Sequence, residues 1–257
     1  MAVAKLRALL FLFAGLLTLA ALQPRFSLAL ALKPGDRLIE HRFVDDRIEW
    51  KLPKKRLEPF KRAGVVIQEE RNISSVVRAS VIDVRQGVAT LSGTAAVSDV
   101  DVPRNRHQDF QQQFTGRLTP ANESPQSGLP NVEDALMEGL PPRPIRVGDC
   151  WTSIRAVMTS LGSGRVTIRH CLSSRDGNLL HIRVDGTGAI TGKEYHLLKL
   201  LPGSIEVDGA AWYDLAQRLV TLESYRVHNR LLRPAEHEQI GFDEVMDIDI
   251  STRRGSD

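Results

Sequence analysis

Apolar and polar residues alternate along most of the chain with the period of two that is typical of half-buried β-strands. A segment near the C-terminus shows the pattern most clearly. Its apolar residues share one strand face: Ile240, Phe242, Met246, Ile248 and Ile250. Its acids share the opposite face: Asp243, Asp247 and Asp249. The pattern predicts strands with a polar outer face and an apolar inner face.

Turn signals join these strands into hairpins. Asp176-Gly177 lies between two alternating segments, and Gln86-Gly87 lies between two segments rich in β-branched residues. A first pair of strands is predicted around Asp45-Asp46. Long helical periods are missing from the sequence, so we predict a mainly β protein built on a twisted antiparallel sheet, with a half-barrel as the more curved alternative.

One short helix is predicted. Asn131 is a suitable N-cap for a helix over Val132–Glu138, which Gly139 ends. The preceding segment, Thr119–Pro130, is rich in Pro, Ser, Asn and Gly, which predicts a mobile surface loop. The basic segment Lys51–Arg62 is interpreted as a solvated loop or an edge strand, where lysine and proline prevent unwanted pairing.

The start of the chain has the order of a secretory signal peptide: a short basic segment, an apolar run and a small-x-small processing site at Ala29-Leu30-Ala31. The apolar run Ala8–Leu22 is shorter than the roughly 20 residues of a membrane-spanning helix. We therefore predict a signal peptide over residues 1–31 and a single β domain over residues 32–257. The domain is expected in the periplasm or outside the cell, with no transmembrane segment after signal removal.

The charge of the exported part excludes one class of partner. The whole chain carries a net charge of +3, from 34 basic and 31 acidic residues. The predicted signal contains three basic residues and no acid, so the exported part holds equal numbers of each. A neutral protein lacks the basic surface that nucleic-acid binding requires, and we predict no nucleic-acid partner.

Both cysteines, Cys150 and Cys171, lie in the exported part. An even number of cysteines in an exported protein favours a disulfide, which for a loop of this length contributes about 3 kcal/mol. However, a hairpin turning at Leu161–Gly164 would place Cys171 opposite Ile154. We predict the disulfide, with two free thiols as the alternative.

Three short motifs carry a resemblance. Pro144–Trp151 reads Pro-x-x-Val-Gly-Asp-x-Trp, Gly209–Asp214 reads Gly-x-x-x-Tyr-Asp, and Lys33–Asp36 precedes a strand. Together they resemble a group of secreted bacterial β-sheet proteins of unknown function. The shape implied is more loosely similar to that of periplasmic lipoprotein carriers, whose curved sheet holds acyl chains. The resemblance implies a fold and a compartment and brings no catalytic residues.

Three aromatic residues are the candidate ligand contacts. Trp151 opens a strand and either fills one end of the core or stacks on a ligand. Trp212 and Tyr213 are adjacent on a strand, so they point to opposite faces, and one of them faces away from the core or into a groove. Core packing explains each position at least as well as ligand binding does.

The sequence shows no nucleophile elbow and no phosphate-binding or dinucleotide-binding loop, so no catalytic residue and no cofactor is predicted. His170 and His181 flank a predicted turn and are interpreted as polar surface residues, because two histidines make an incomplete zinc site. Acids on a flat strand do not wrap a calcium ion. A solvated face is therefore the interpretation of the C-terminal acids: Asp243, Glu244, Asp247 and Asp249.

These observations favour a non-enzymatic binding module that holds an apolar or amphipathic ligand, such as a lipid, on a curved sheet. The alternative is a structural or protein-interaction protein of the cell envelope, which would use sheet edges or the loop over residues 119–130. A hydrolase with a site assembled from distant strands ranks last, because no motif supports it.

Overall fold

The computed structural model describes residues 24–64, 66–124, 136–192, 194–195, 198–233 and 240–255. Within these ranges the chain forms twelve strands and one helix, α1 (Lys54–Arg62). The strands are β1 (Arg37–Lys51), β2 (Gln68–Arg85), β3 (Val88–Asp101), β4 (Arg106–Leu118), β5 (Cys150–Met158), β6 (Gly162–Asp176), β7 (Leu179–Gly192), β8 (Glu194–Tyr195), β9 (Leu198–Lys199), β10 (Gly203–Asp214), β11 (Leu219–Arg233) and β12 (Ile240–Arg254).

Ten strands form one open antiparallel sheet in the order β4-β3-β2-β1-β12-β11-β10-β7-β6-β5, and β8 pairs with β9. Pairing of β1 with β12 joins the N-terminal and C-terminal halves of the sheet. The predicted fold class, a mainly β protein with an antiparallel sheet and one short helix, is confirmed. No helix in the described ranges is long and apolar enough to cross a membrane.

The helix lies elsewhere than the sequence predicts. α1 occupies the basic segment that sequence analysis assigns to a loop or an edge strand. Phe60 packs towards Trp50 at one end of the sheet, with 6.4 Å between ring centroids, while Lys54, Lys55, Lys61 and Arg62 are exposed. Most of the predicted helix over Val132–Glu138 lies outside the described residues, and Leu136 and Met137 form a turn.

Two of the predicted turns join paired strands. The first lies where the sequence predicts it, and the second lies one residue later. Gln86 and Gly87 connect β2 to β3, with φ angles of 52° and 81°. Such positive angles match the right-handed twist of the flanking strands. In the β6–β7 hairpin, Asp176 still pairs with Leu179, so the turn consists of Gly177 and the residue after it.

The β5–β6 hairpin turns two residues earlier than predicted. The Thr159 N–H donates to the Gly162 carbonyl at 2.8 Å, and pairing resumes immediately after this turn. This register places Cys150 directly opposite Cys171, and the two form a disulfide with an S–S distance of 2.12 Å. The predicted disulfide is confirmed. The predicted turn over Leu161–Gly164 is wrong because most of that segment is paired with β7.

The segment before β1 belongs to the core of the domain. Phe26, Leu28 and Leu30 alternate with exposed or half-buried residues and are themselves buried. The Tyr213 hydroxyl donates to the Ala29 carbonyl at 2.7 Å and fixes this segment against β10. Sequence analysis assigns these residues to the signal peptide, and a cut after residue 31 would remove them from the core.

One face of the sheet, here called the inner face, carries the core. Its main cluster spans β1, β2, β5–β7 and β10–β12 together with the segment before β1. A smaller cluster lies next to α1: Ile48, Leu161, Ile190, Leu200, Leu231 and Phe242. On β2, β3 and β4, by contrast, most inner-face residues are only partly buried. This half of the inner face is therefore open to a further molecule.

Candidate functional site

The inward residues of β2, β3 and β4 form a surface, here called the edge face, that changes from charged to apolar along the strands. Strand pairing arranges these residues in rows, each with one member from each strand. Two rows at one end are mainly polar: Arg71-Asp101-Arg106 and Ile73-Asp99-Gln108. The next three are mainly apolar: Ser75-Val97-Phe110, Val77-Ala95-Gln112 and Ala79-Gly93-Phe114.

The charged end is a concavity of about 320 Å³. Arg104 Nη1 donates to Asp101 Oδ2 at 2.8 Å, and Arg104 Nη2 lies 3.6 Å from Glu69 Oε1. Arg71 donates to both carboxylate oxygens of Asp99. The hydrogen bond from Arg104 lowers the pKa of Asp101, so this acid is ionised at neutral pH. The lining contains three arginines and three acids, and its formal charges balance.

The apolar rows present side chains that the rest of the domain leaves partly uncovered. Phe110 is 45% exposed, and Val77 and Val97 are half-buried although they point inward. Phe114, by contrast, packs against the core. An uncovered apolar strip that ends at a balanced set of charges is complementary to a molecule with an apolar chain and a polar head.

Local sequence explains how β2–β4 approach each other so closely. A Cβ at Gly93 would lie 2.1 Å from the Arg78 carbonyl oxygen, so only glycine permits this contact between β2 and β3. At the β3–β4 turn, Asp101 Oδ1 accepts from the Arg104 N–H at 3.3 Å, and Asn105 adopts a φ of 47°. Aspartate and asparagine favour such turns because their short side chains bond to nearby main chain.

A pair of carboxyl groups lies inside the core. Asp46 on β1 is 4% exposed, and Glu244 on β12 is fully buried. Ser160 binds both acids: its hydroxyl donates to Asp46 at 2.9 Å and its main-chain N–H to Glu244 at 3.1 Å. Asn229 Nδ2 donates to Glu244 at 2.7 Å. The β5–β6 turn thus reaches over the inner face and contacts the central strands.

Sequence analysis misses both acids. It places Asp45-Asp46 in a turn, whereas β1 is continuous and Asp46 shares the inner face with Ile48. It assigns Glu244 to a solvated face, whereas this residue lies on the same buried face of β12 as Phe242. The period-two pattern itself indicates the inward position of each acid, and their hydrogen bonds make that position tolerable.

Burial gives this pair unusual proton affinities. Removal from water raises the pKa of Asp46 to about 6, against the opposing hydrogen bond from Ser160. Burial, reinforced by the charge of Asp46, raises the pKa of Glu244 to about 7. Both groups exchange protons near neutral pH, yet neither is exposed to a substrate. Their ionisation is therefore linked to the stability of the fold, which it lowers as the pH rises.

The first predicted ligand contact, Trp151, makes its polar and stacking contacts with other residues of the chain. Its Nε1 donates to the Gly139 carbonyl at 2.9 Å, and its ring stacks on His170 with centroids 5.0 Å apart. His170 is buried and bonds to the Leu136 carbonyl, so its prediction as a surface residue is wrong. Burial lowers its pKa and favours the neutral ring. A second concavity, also of about 320 Å³, runs beside Trp151 along Pro141–Arg146.

The other two candidate contacts lie on opposite faces of β10, as predicted. Trp212 is half-buried on the outer face, 5.0 Å from the ring of His181, whereas Tyr213 is buried and bonded to Ala29. The structure does not bring Trp151, Trp212 and Tyr213 together, and none of them belongs to the edge face. That surface depends on strand order, which the local motifs do not encode.

Two of the outer-face acids, Asp243 and Asp247, form ion pairs. Asp247 accepts from Arg226 at 2.7 and 3.1 Å and from Arg47 at 2.6 Å, and these cations lower its pKa. Across the described ranges, no group of three or more His, Cys, Asp or Glu side chains is placed to hold a metal ion.

No protein-family model matches the chain, and no curated protein matches it significantly. The resemblance to secreted bacterial β-sheet proteins therefore stays a prediction from the motifs.

Proposed function

We propose that this chain is an exported, non-enzymatic binding module that holds an amphipathic ligand on the edge face. The observation that carries the proposal is the order of the rows on β2–β4. Polar rows occupy one end of the surface, and an uncovered apolar strip made by Val77, Val97 and Phe110 continues from it.

The ligand lies along the strands, with its chain on the apolar strip and its head at the charged end. Arginines and acids are equal in number there, so a bound head group would lie beside charges of both signs. A zwitterionic head fits this balance better than a strongly anionic one. Covering about 200 Å² of apolar surface contributes about 5 kcal/mol, part of which is lost to the cost of association, so the complex is expected to exchange readily.

Export is supported by two features of the chain. A basic segment and an apolar run precede the domain, as in secretory signal peptides. The Cys150–Cys171 disulfide suits an oxidising compartment. The shape analogy with periplasmic lipoprotein carriers also favours export, but it concerns the fold alone.

The test is a titration with a fluorescent lysophosphatidylcholine below its micelle-forming concentration. Phe110→Ala should weaken binding about tenfold, because part of the apolar contact is lost. Phe43→Ala is the matched control, since Phe43 is also 45% exposed but lies on the outer face of β1. Absence of saturable binding, or equal losses in the two variants, would contradict the proposal.

A further inference from the structure

Within the described residues, strand β4 is an edge of the ten-stranded sheet. It pairs with β3 on one side, and residues 106–113 are all exposed. Natural sheet edges are usually protected by lysine, proline, a bulge or a covering segment. From Phe110 to Gly116, β4 contains neither charge nor proline, and its pairing with β3 continues without a register shift. The main-chain N–H and C=O groups on its outer side can therefore form hydrogen bonds with another strand.

The sequence of β4 is complementary to itself in the antiparallel direction. When Gln113 faces Gln113 of a second copy, Asp109 faces Arg117 of that copy, and the reciprocal pair forms by symmetry. Both side chains are exposed and have the same strand parity, so both lie on the outer face. On the inner face, the same register sets Phe110 opposite Gly116 of the second copy, where an aromatic ring covers a residue without a side chain.

We propose that two copies of this chain associate through β4, with a twofold axis at Gln113. The product is one continuous antiparallel sheet, in which the same surface of each copy contributes to the contact. The edge faces of the two copies then adjoin at the axis. The proposal rests on the strand edge and its charge pattern, and it does not depend on ligand binding.

Charge distinguishes this register from its neighbour. If the strands slip by two residues so that Phe110 faces Phe114 of the second copy, Arg117 faces His107. Asp109 then loses Arg117 as its cross-strand partner and keeps His107 of its own strand, whose Nε2 lies 2.7 Å from Asp109 Oδ1. The register centred on Gln113 has two opposite-charge pairs and no like-charge pair.

Sedimentation equilibrium of the purified chain, over a wide range of concentration, provides the test. The wild type should form dimers. Asp109→Arg and Arg117→Asp should each raise the dimer dissociation constant about tenfold or more, because each creates two like-charge contacts. An equimolar mixture of the two variants should form dimers again, since every contact then joins opposite charges. The double variant, D109R/R117D, should also dimerise like the wild type.

Both substituted side chains are exposed, so the circular dichroism spectrum should not change and serves as the folding control, together with a thermal midpoint measured at a concentration where wild type and variants are all monomeric. A monomeric wild type would overturn the proposal, and so would dimers that persist in both single variants or single variants that fail to recover when mixed. Lysophosphatidylcholine binding is measured separately, so failure of the dimer and failure of the proposed ligand function give distinguishable results.

Discussion

Replacement of Asp46 by Asn should stabilise the protein at pH 8. Asp46 is buried, and Ser160 donates to one of its carboxylate oxygens while Oδ1 has no partner. An asparagine keeps the acceptor for Ser160 and places an NH₂ group where the protonated acid carries its O–H. The variant therefore imitates the protonated form of Asp46, without the cost of a buried charge beside Glu244.

The sign and size follow from the two pKa values. Both folded-state values lie above the unfolded ones: about 6 instead of 3.8 for Asp46, and about 7 instead of 4.5 for Glu244. The folded state therefore binds more protons, and the free energy of unfolding falls as pH rises from about 4 to about 7. At about 1.4 kcal/mol per pKa unit, ionising Asp46 costs about 3 kcal/mol, which Asp46→Asn should largely recover at pH 8.

Urea unfolding, followed by circular dichroism at pH 5 and pH 8, measures this effect. The buried His170 has a lowered pKa and changes stability with pH in the opposite sense, but it contributes equally to wild type and variant. Asp247→Asn is the control: Asp247 lies on the outer face and its pKa is lowered by Arg226, so its loss should not stabilise the protein at pH 8. If Asp46→Asn gave no gain at pH 8, the argument from burial would be refuted.

Three further predictions concern the ends and the cross-link of the fold. Tyr213→Phe removes the hydrogen bond to the Ala29 carbonyl and should lower the free energy of unfolding by about 1 kcal/mol in urea titration, whereas an unchanged value would contradict the role of this bond. Paired replacement of Cys150 and Cys171 by Ser should cost about 3 kcal/mol in the same assay, and no loss would show that the disulfide adds no stability. Intact mass of the exported protein should show a chain that begins at or before Pro24, because buried residues follow it; a start after residue 31 would contradict this.

The sequence predicts strands well wherever one face is apolar, because side chains alternate across a sheet. The C-terminal strand shows both the power and the limit of this signal. Its apolar face is as predicted, but Glu244 lies on that face and binds Asn229 from the neighbouring strand. The local sequence pattern does not predict a hydrogen-bond partner that lies on another strand. The same holds for Asp46, whose partner Ser160 is 114 residues away.

The alternation of Phe26, Leu28 and Leu30 is visible in the sequence, but it continues an apolar leader and is easily taken for part of it. The edge face is harder to predict. Val77, Val97 and Phe110 lie on three strands and meet only through their register. Local motifs indicate where a strand begins or turns, whereas a surface across strands depends on the order of the sheet.

Photo-crosslinking in the expressing cell tests the ligand proposal most directly. A photoreactive amino acid replaces Phe110 in one variant and Phe43 in a second, equally exposed control. The account predicts that mass spectrometry finds an amphipathic small molecule joined at position 110 and none at position 43. No adduct at position 110, or the same adducts at both positions, would contradict it.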